Sequence, residues 1–169
     1  MSTGFDNYVA ARAPALIRFA WALTGDWHLA EDLTQDALVA AHRRWRRIQR
    51  LEHPDAYVRR IILNRYLSHK RLRRNREVPD NTAMAAAASS AGFDLEERDR
   101  LITALGQLPR VQRAVMVLRY YEDLDDRRIA DHLNCTQSSV RTHAERGKKA
   151  LASLLNQPVD HRYTGRRND

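Results

Sequence analysis

The chain has 169 residues, enough for one or two small domains, and carries 29 lysines and arginines against 21 acidic residues. This net charge of +8 favours a polyanionic partner such as nucleic acid. The single cysteine, Cys135, excludes an intrachain disulfide and a cysteine-based zinc site. Neither a signal peptide nor an apolar run of membrane-spanning length is evident, so we expect a cytoplasmic protein without a membrane span.

The first predicted domain, residues 5–76, is helical throughout. Its three helices are expected at about residues 5–23, 27–47 and 54–74. Gly25 ends the first of them, Asp26 can cap the second, and Pro54 suits the first turn of the third. Trp45, Ile48 and Leu51 are expected to close onto the core.

The charge of this domain is divided between an acidic and a basic segment. Glu31, Asp32, Gln35 and Asp36 share the outer face of the second helix. Residues 43–76 then hold thirteen lysines and arginines with only two acids. The acidic face can be a solvated surface favoured near a helix N-terminus, or it can bind a partner. The basic block predicts a contact with nucleic acid.

The rest of the chain divides into a linker, a second helical domain and a tail. Residues 77–93 contain small residues without a periodic apolar face, which predicts a flexible linker. The second domain is expected over residues 94–156, with Leu101 to Leu108 in one helix and Pro109 starting the next. We expect residues 157–169 to be a disordered tail.

Residues 124–151, LDDRRIADHLNCTQSSVRTHAERGKKAL, predict a helix-turn-helix. Asp125 or Asp126 can cap the first helix, Asn134 tolerates the left-handed turn, and Thr136 occupies the N-cap of the second helix. The second helix repeats small or apolar residues at helical spacing, at Val140, Ala144, Gly147, Leu151 and Leu154. Its polar, basic start can enter a major groove; the alternative is an ordinary helical hairpin with a solvated face.

Four segments, in this order and spacing, resemble the extracytoplasmic-function sigma factors of bacterial RNA polymerase, in particular the actinobacterial SigE-like group. They are LTGDWHLAEDLTQDAL (23–38), HPDAYVRRIILN (53–64), LPRVQRAVMVLRYYEDL (108–124) and IADHLNCTQSSVRTHAERGKKAL (129–151). The resemblance covers residues 5–155 and implies an all-α protein: two small helical domains joined by a flexible linker, the second with a helix-turn-helix. It implies an alternative sigma factor that binds core RNA polymerase and directs promoter recognition and transcription initiation.

The resemblance also assigns roles to individual residues. Residues 5–76 correspond to sigma domain 2 and residues 94–156 to sigma domain 4. The implied contacts with core polymerase are Asp32, Leu33, Gln35 and Asp36. The implied contacts with the −10 element are Tyr57, Arg59, Arg60, Asn64, Ser68 and Arg71. The implied contacts with the −35 element are Thr136, Gln137, Ser138, Ser139, Arg141, Thr142, Arg146 and Lys149. Arg127, Arg128, Asn134 and Ser138 depart from the family pattern, which leaves the −35 sequence open.

Two other functions compete with this interpretation. A repressor or activator acting without polymerase would need a sensing pocket or dimerisation helix, and neither is evident. An enzyme acting on nucleic acid is disfavoured because the seven histidines are scattered without metal-ligand spacing. We therefore expect no catalytic residue, metal site, cofactor or small-molecule substrate. The expected partners are core RNA polymerase and promoter DNA, and an anti-sigma factor stays open.

Overall fold

The computed structural model describes residues 3–69 and 95–157, and every regular element in these two ranges is helical. The helices are α1 (Thr3–Thr24), α2 (Trp27–His42), α3 (Trp45–Ile48), α4 (Pro54–Ser68), α5 (Leu95–Gly106), α6 (Arg110–Met116), α7 (Asp126–Leu133) and α8 (Gln137–Leu155). A π-helical turn, Val117–Tyr121, follows α6. The predicted linker, Arg71 and residues 158–169 of the predicted tail lie outside the described residues.

Local sequence signals set the first helix boundaries as predicted. Gly25 adopts φ +67°, a left-handed conformation that suits glycine, and its N–H donates to the Trp21 carbonyl at 2.7 Å. Asp26 then caps α2, because its Oδ1 accepts from the Leu29 N–H at 3.0 Å. Pro54 begins α4, where the missing N–H of proline would have no helical partner.

Two predicted helices end earlier than expected. The second stops at His42, and a turn at Arg43 and Arg44 separates it from α3, so the prediction of one helix over 27–47 is wrong. This turn lets Ile48 reach the core at 1% exposure, whereas Leu51 stays 40% exposed, against expectation. The third helix ends at Ser68 because His69 has an extended backbone, with ψ 114°.

The apolar core runs across both predicted domains. In the first domain, α1, α2 and α4 contribute buried residues that include Phe19, Leu33 and Ile62. The same cluster continues into the second domain through Val115 and Val140. A smaller cluster fills the space between α5, α6 and α8: Ala104, Leu105, Leu108, Met116 and Leu151. The described parts of the two domains therefore pack directly against each other.

A buried arginine joins the two domains. Arg113 of α6 is 4% exposed and donates from Nε and Nη2 to the Ala22 carbonyl, at 3.0 and 2.9 Å. Ala22 lies in the last turn of α1, where carbonyls lack helical partners and a positive charge is favourable. Burial lowers the pKa of Arg113 to about 10, so the side chain stays charged at neutral pH. Arg113 thus caps a helix of the other domain.

Gly147 permits the close approach of α8 to α6. A Cβ atom at this position would lie 2.9 Å from both Cγ and Sδ of Met116, which is itself buried. We expect Gly147→Val to lower the free energy of unfolding by about 1–3 kcal/mol, the usual cost of overpacking. Chemical denaturation measures this loss. Lys148→Val is the control, since Lys148 is exposed, and equal stability of the two variants would contradict close packing at Gly147.

Candidate nucleic-acid interface

The helix-turn-helix has the helix caps and the turn residue that the sequence predicts. Asp125, rather than Asp126, caps α7, because its Oδ1 accepts from the Arg128 N–H at 2.8 Å. Asn134 adopts φ 52° and ψ 50° in the turn. Thr136 caps α8 by accepting from the Ser139 N–H at 3.1 Å. The two caps fix where α7 and α8 begin, and the left-handed Asn134 ends α7 between them.

The two faces of α8 differ sharply in exposure. Val140 and Ala144 are completely buried, Gly147 and Leu151 are buried, and Leu154 is half-buried. The implied −35 contacts lie on the other face, where all except Ser139 are exposed: Thr136, Gln137, Ser138, Arg141, Thr142, Arg146 and Lys149. Half-buried Ser139 shares a hydrogen bond with the Thr136 hydroxyl at 2.9 Å. A helix with one face packed on the domain and the opposite face polar and exposed can enter a DNA groove.

Arg141 has a partner that sequence reasoning missed. Its Nε lies 3.3 Å from Oδ2 of Asp126, the first residue of α7. The other oxygen of the same carboxylate contacts Nη2 of Arg119, in the π-helical turn. The sequence offers two adjacent aspartates, Asp125 and Asp126, for one capping position. Because only one of them can cap α7, the other is available for a different contact.

The acidic face of α2 is exposed as predicted, and the adjoining Leu33 is buried. Asp32, Gln35 and Asp36 are exposed, and the Asp36 carboxylate lies 3.3 Å from Nη1 of Arg65 on α4. Leu33 is only 4% exposed, so its side chain packs in the core and anchors this part of α2 to the domain. Of the four implied polymerase contacts, two carboxylates and one amide are therefore accessible to a partner, beside the exposed Glu31.

The implied −10 residues of α4 fall into two groups. Asn64 and Ser68 are exposed, and the Ser68 hydroxyl donates to the Asn64 carbonyl at 2.6 Å. Half-buried Tyr57 accepts a long hydrogen bond from Arg44, at 3.4 Å. The remaining two described residues, Arg59 and Arg60, turn towards the second domain. Arg71 lies outside the described residues.

Contacts with the second domain occupy both of these arginines. Arg59 Nε lies 3.3 Å from Oε2 of Glu122, and its guanidinium lies 5.9 Å from the centre of the Phe19 ring. Arg60 donates from Nη2 to the Asp131 carbonyl in α7 at 3.3 Å. Burial raises the pKa of Glu122, whereas nearby Arg59 and Arg12 oppose that rise. The helix implied to read the −10 element is thus partly covered by the helix-turn-helix domain.

Residues 3–69 and 95–157 hold neither a candidate metal site nor a candidate membrane span. These residues contain no group of three or more histidine, cysteine or acidic side chains that could hold a metal ion. None of their helices combines the length and the apolar character needed to cross a membrane.

Comparison with known proteins identifies the family. Residues 8–76 match the family model of Sigma-70 region 2, and residues 98–151 match that of Sigma-70, region 4. The RNA polymerase sigma-E factor of Streptomyces coelicolor is 33% identical over 155 residues, which cover 92% of this chain and 86% of the relative. The ECF RNA polymerase sigma factor SigE of Mycolicibacterium smegmatis is 29% identical, over 89% of this chain and 61% of the relative. This chain belongs to the extracytoplasmic-function sigma factors. It is a transcription initiation factor that directs promoter recognition.

Two solved structures share the fold of this chain. The sigma factor RpoE in a co-crystal with the anti-sigma factor NepR, from Bartonella quintana, superposes with a TM-score of 0.64 at 23% identity, covering 93% of this chain and 98% of that one. CnrH in complex with the cytosolic domain of CnrY gives a TM-score of 0.61 at 25% identity, covering 92% of this chain and 90% of that one. The all-helical, two-domain fold predicted from the sequence is thereby confirmed.

Proposed function

We propose that this sigma factor works through three separate surfaces. The acidic face of α2 binds core RNA polymerase, α4 contacts the −10 element, and the exposed face of α8 reads the −35 element. Residues 5–76 and 94–156 would form the two functional domains, connected by residues 77–93. The observation that carries this proposal is the Thr136-capped helix α8, with a polar, exposed face on a buried apolar stripe.

The chemistry of each surface suits the ligand assigned to it. Asp32, Gln35 and Asp36 present negative charge and hydrogen-bonding groups to a basic protein surface. On α4, Asn64 has the donor and acceptor needed to recognise a base edge. On α8, capping by Thr136 leaves the other early N–H groups at the helix start available to a phosphate.

A pair of variants tests the division between the two DNA-reading helices. Gln137→Ala with Thr142→Ala should change the preference of the holoenzyme among −35 variants, with the −10 preference unchanged. Asn64→Ala should do the reverse, since a lost base contact affects only the base pair that it touches, by about 1–3 kcal/mol. Transcription from promoters with single base changes measures both preferences. If both variants altered the same element, or neither altered any, this division would be wrong.

The free chain should bind duplex promoter weakly and without sequence preference. Arg59 and Arg60 are engaged with the second domain, and the −10 contact needs a strand that polymerase has opened. The basic segment still provides phosphate contacts, so the residual affinity should fall steeply as salt rises. Titration of duplex with and without core enzyme checks this. Tight, sequence-specific binding by the chain alone would favour the repressor interpretation.

The remaining features of the proposal concern setting and regulation. We place the chain in the cytoplasm, with core polymerase and promoter DNA, and we assign it no catalytic activity of its own and no small-molecule substrate. The anti-sigma factor NepR, which accompanies RpoE in its structure, supports an anti-sigma factor as a further partner class. Co-purification of the tagged chain from cells would test that partner.

A further inference from the structure

The carboxylate of Asp126 connects α8 to the π-helical turn that precedes α7. Asp126, at the first position of α7, contacts Arg119 through Oδ1, and its Oδ2 lies 3.3 Å from Nε of Arg141. The side chains of Asp126 and Arg119 are only 22% and 23% exposed. The carboxylate is therefore held in place on one side by Arg119, and it can hold Arg141 on the other.

This contact leaves the reading end of Arg141 free. The side chain of Arg141 is 63% exposed, and only its Nε is bonded, so Nη1 and Nη2 make no hydrogen bond to any other described residue. The two terminal amino groups of arginine match the O6 and N7 acceptors of guanine. Holding the side chain in advance reduces the conformational entropy that it loses on binding.

We propose that Asp126 is a positioning residue for promoter recognition: it orients Arg141 so that the terminal amino groups read a guanine in the −35 element. This inference rests on the proposed role of α8 at that element. It gives Arg141 a base-reading role, because a phosphate contact places no comparable demand on the orientation of the guanidinium.

A different role for Asp126 makes the opposite prediction. If the carboxylate only neutralised Arg141, its removal would strengthen binding to every promoter alike, since one negative charge would leave a surface that faces phosphates. If it orients Arg141, its removal should instead reduce discrimination at a single base pair. The ratio of activities between promoters separates the two roles, because a uniform electrostatic gain cancels in that ratio.

The experiment compares holoenzymes made with the wild-type chain, Asp126→Asn, Arg141→Ala and the double variant. Transcription is measured on promoters that carry every single base change in the −35 element. We expect the wild type to favour guanine at one position by about tenfold, within the range of a bidentate arginine contact. Arg141→Ala and Asp126→Asn should both flatten that position, and the double variant should match Arg141→Ala alone.

Asp123→Asn is the matched control. It removes a carboxylate three positions before Asp126, in the loop that leads into α7, and asparagine tolerates the positive φ of 53° at this position. This control should keep the guanine preference. Loss of preference in the control as well would contradict a specific role for Asp126, because the loss of any negative charge near the start of α7 would then have the same effect.

Three outcomes would overturn the proposal. Asp126→Asn could keep the preference that Arg141→Ala loses, it could raise transcription uniformly on all promoters, or Arg141→Ala itself could leave the preference intact. In the last case, the Gln137 and Thr142 variants still report whether α8 reads the element, so the two failures are distinguishable. If circular dichroism shows that Asp126→Asn does not fold, Asp126→Ser replaces it, because serine is tolerated at the start of a helix and lacks the carboxylate; an unchanged guanine preference in that variant would equally contradict the inference.

Discussion

Replacing Asp32 and Asp36 together with arginine is expected to weaken binding to core RNA polymerase by roughly 100-fold or more, because like charges brought together at an interface cost several kcal/mol. Both carboxylates are exposed on α2, and neither side chain is part of the core. The fold should therefore survive, and circular dichroism should show unchanged helicity. Titration of labelled chain with core enzyme measures the loss of affinity.

The matched control changes the same number of charges elsewhere in the first domain. Asp6→Arg with Glu52→Arg also replaces two exposed acids with arginines, away from the acidic face of α2. This double variant should keep wild-type affinity for core enzyme at the same ionic strength. If the Asp32 and Asp36 variant bound as tightly as the control, the assignment of α2 as the polymerase surface would be wrong.

Replacing Arg113 with alanine is expected to lower the free energy of unfolding by about 1–3 kcal/mol, the cost of leaving a buried carbonyl without its donor. The Ala22 carbonyl receives two hydrogen bonds from this side chain, and both cross from one domain to the other. Weakening them should loosen the contact between the domains as well. Chemical denaturation measures the first effect, and the radius of gyration in solution scattering measures the second.

Arg127→Ala serves as the control for this prediction, because Arg127 is an exposed arginine of the same domain. It should leave both stability and radius of gyration unchanged. Arg113→Lys should fall between the two variants, since an ammonium can reach the carbonyl with one donor only. Equal stability of Arg113→Ala and Arg127→Ala would show that the buried contact between Arg113 and Ala22 does not stabilise the packing of the two domains.

Those features that depend on neighbouring residues were predictable from the sequence. Asp26 and Thr136 cap helices through bonds to backbone groups three residues away, so the pattern that predicts each cap also contains its partner. The buried stripe of α8 follows from helical periodicity for the same reason. The family resemblance added the roles of the two domains, which neither spacing nor composition could establish.

Those features that depend on distant residues were not predictable. Arg113 looks like any polar residue on an amphipathic helix, and its partner Ala22 lies 91 positions earlier in the chain. Arg59 and Arg60 were expected to face solvent or DNA, yet their contacts with Glu122 and Asp131 come from the packing of one domain on the other. The helix break after His42 is not marked in the sequence by a glycine or a proline. There the burial of Ile48 in the core outweighs the local preference of these residues for a continuous helix.

The most direct test of the central claim is transcription by purified core RNA polymerase, with and without this chain, on a library of random promoter sequences. We predict that the chain selects templates with two short conserved elements at a fixed spacing, and that core enzyme alone selects none. The Asp32 and Asp36 double variant should abolish this selection. Selection of a single element, or the same templates with and without the chain, would contradict its assignment as a two-domain promoter-recognition factor.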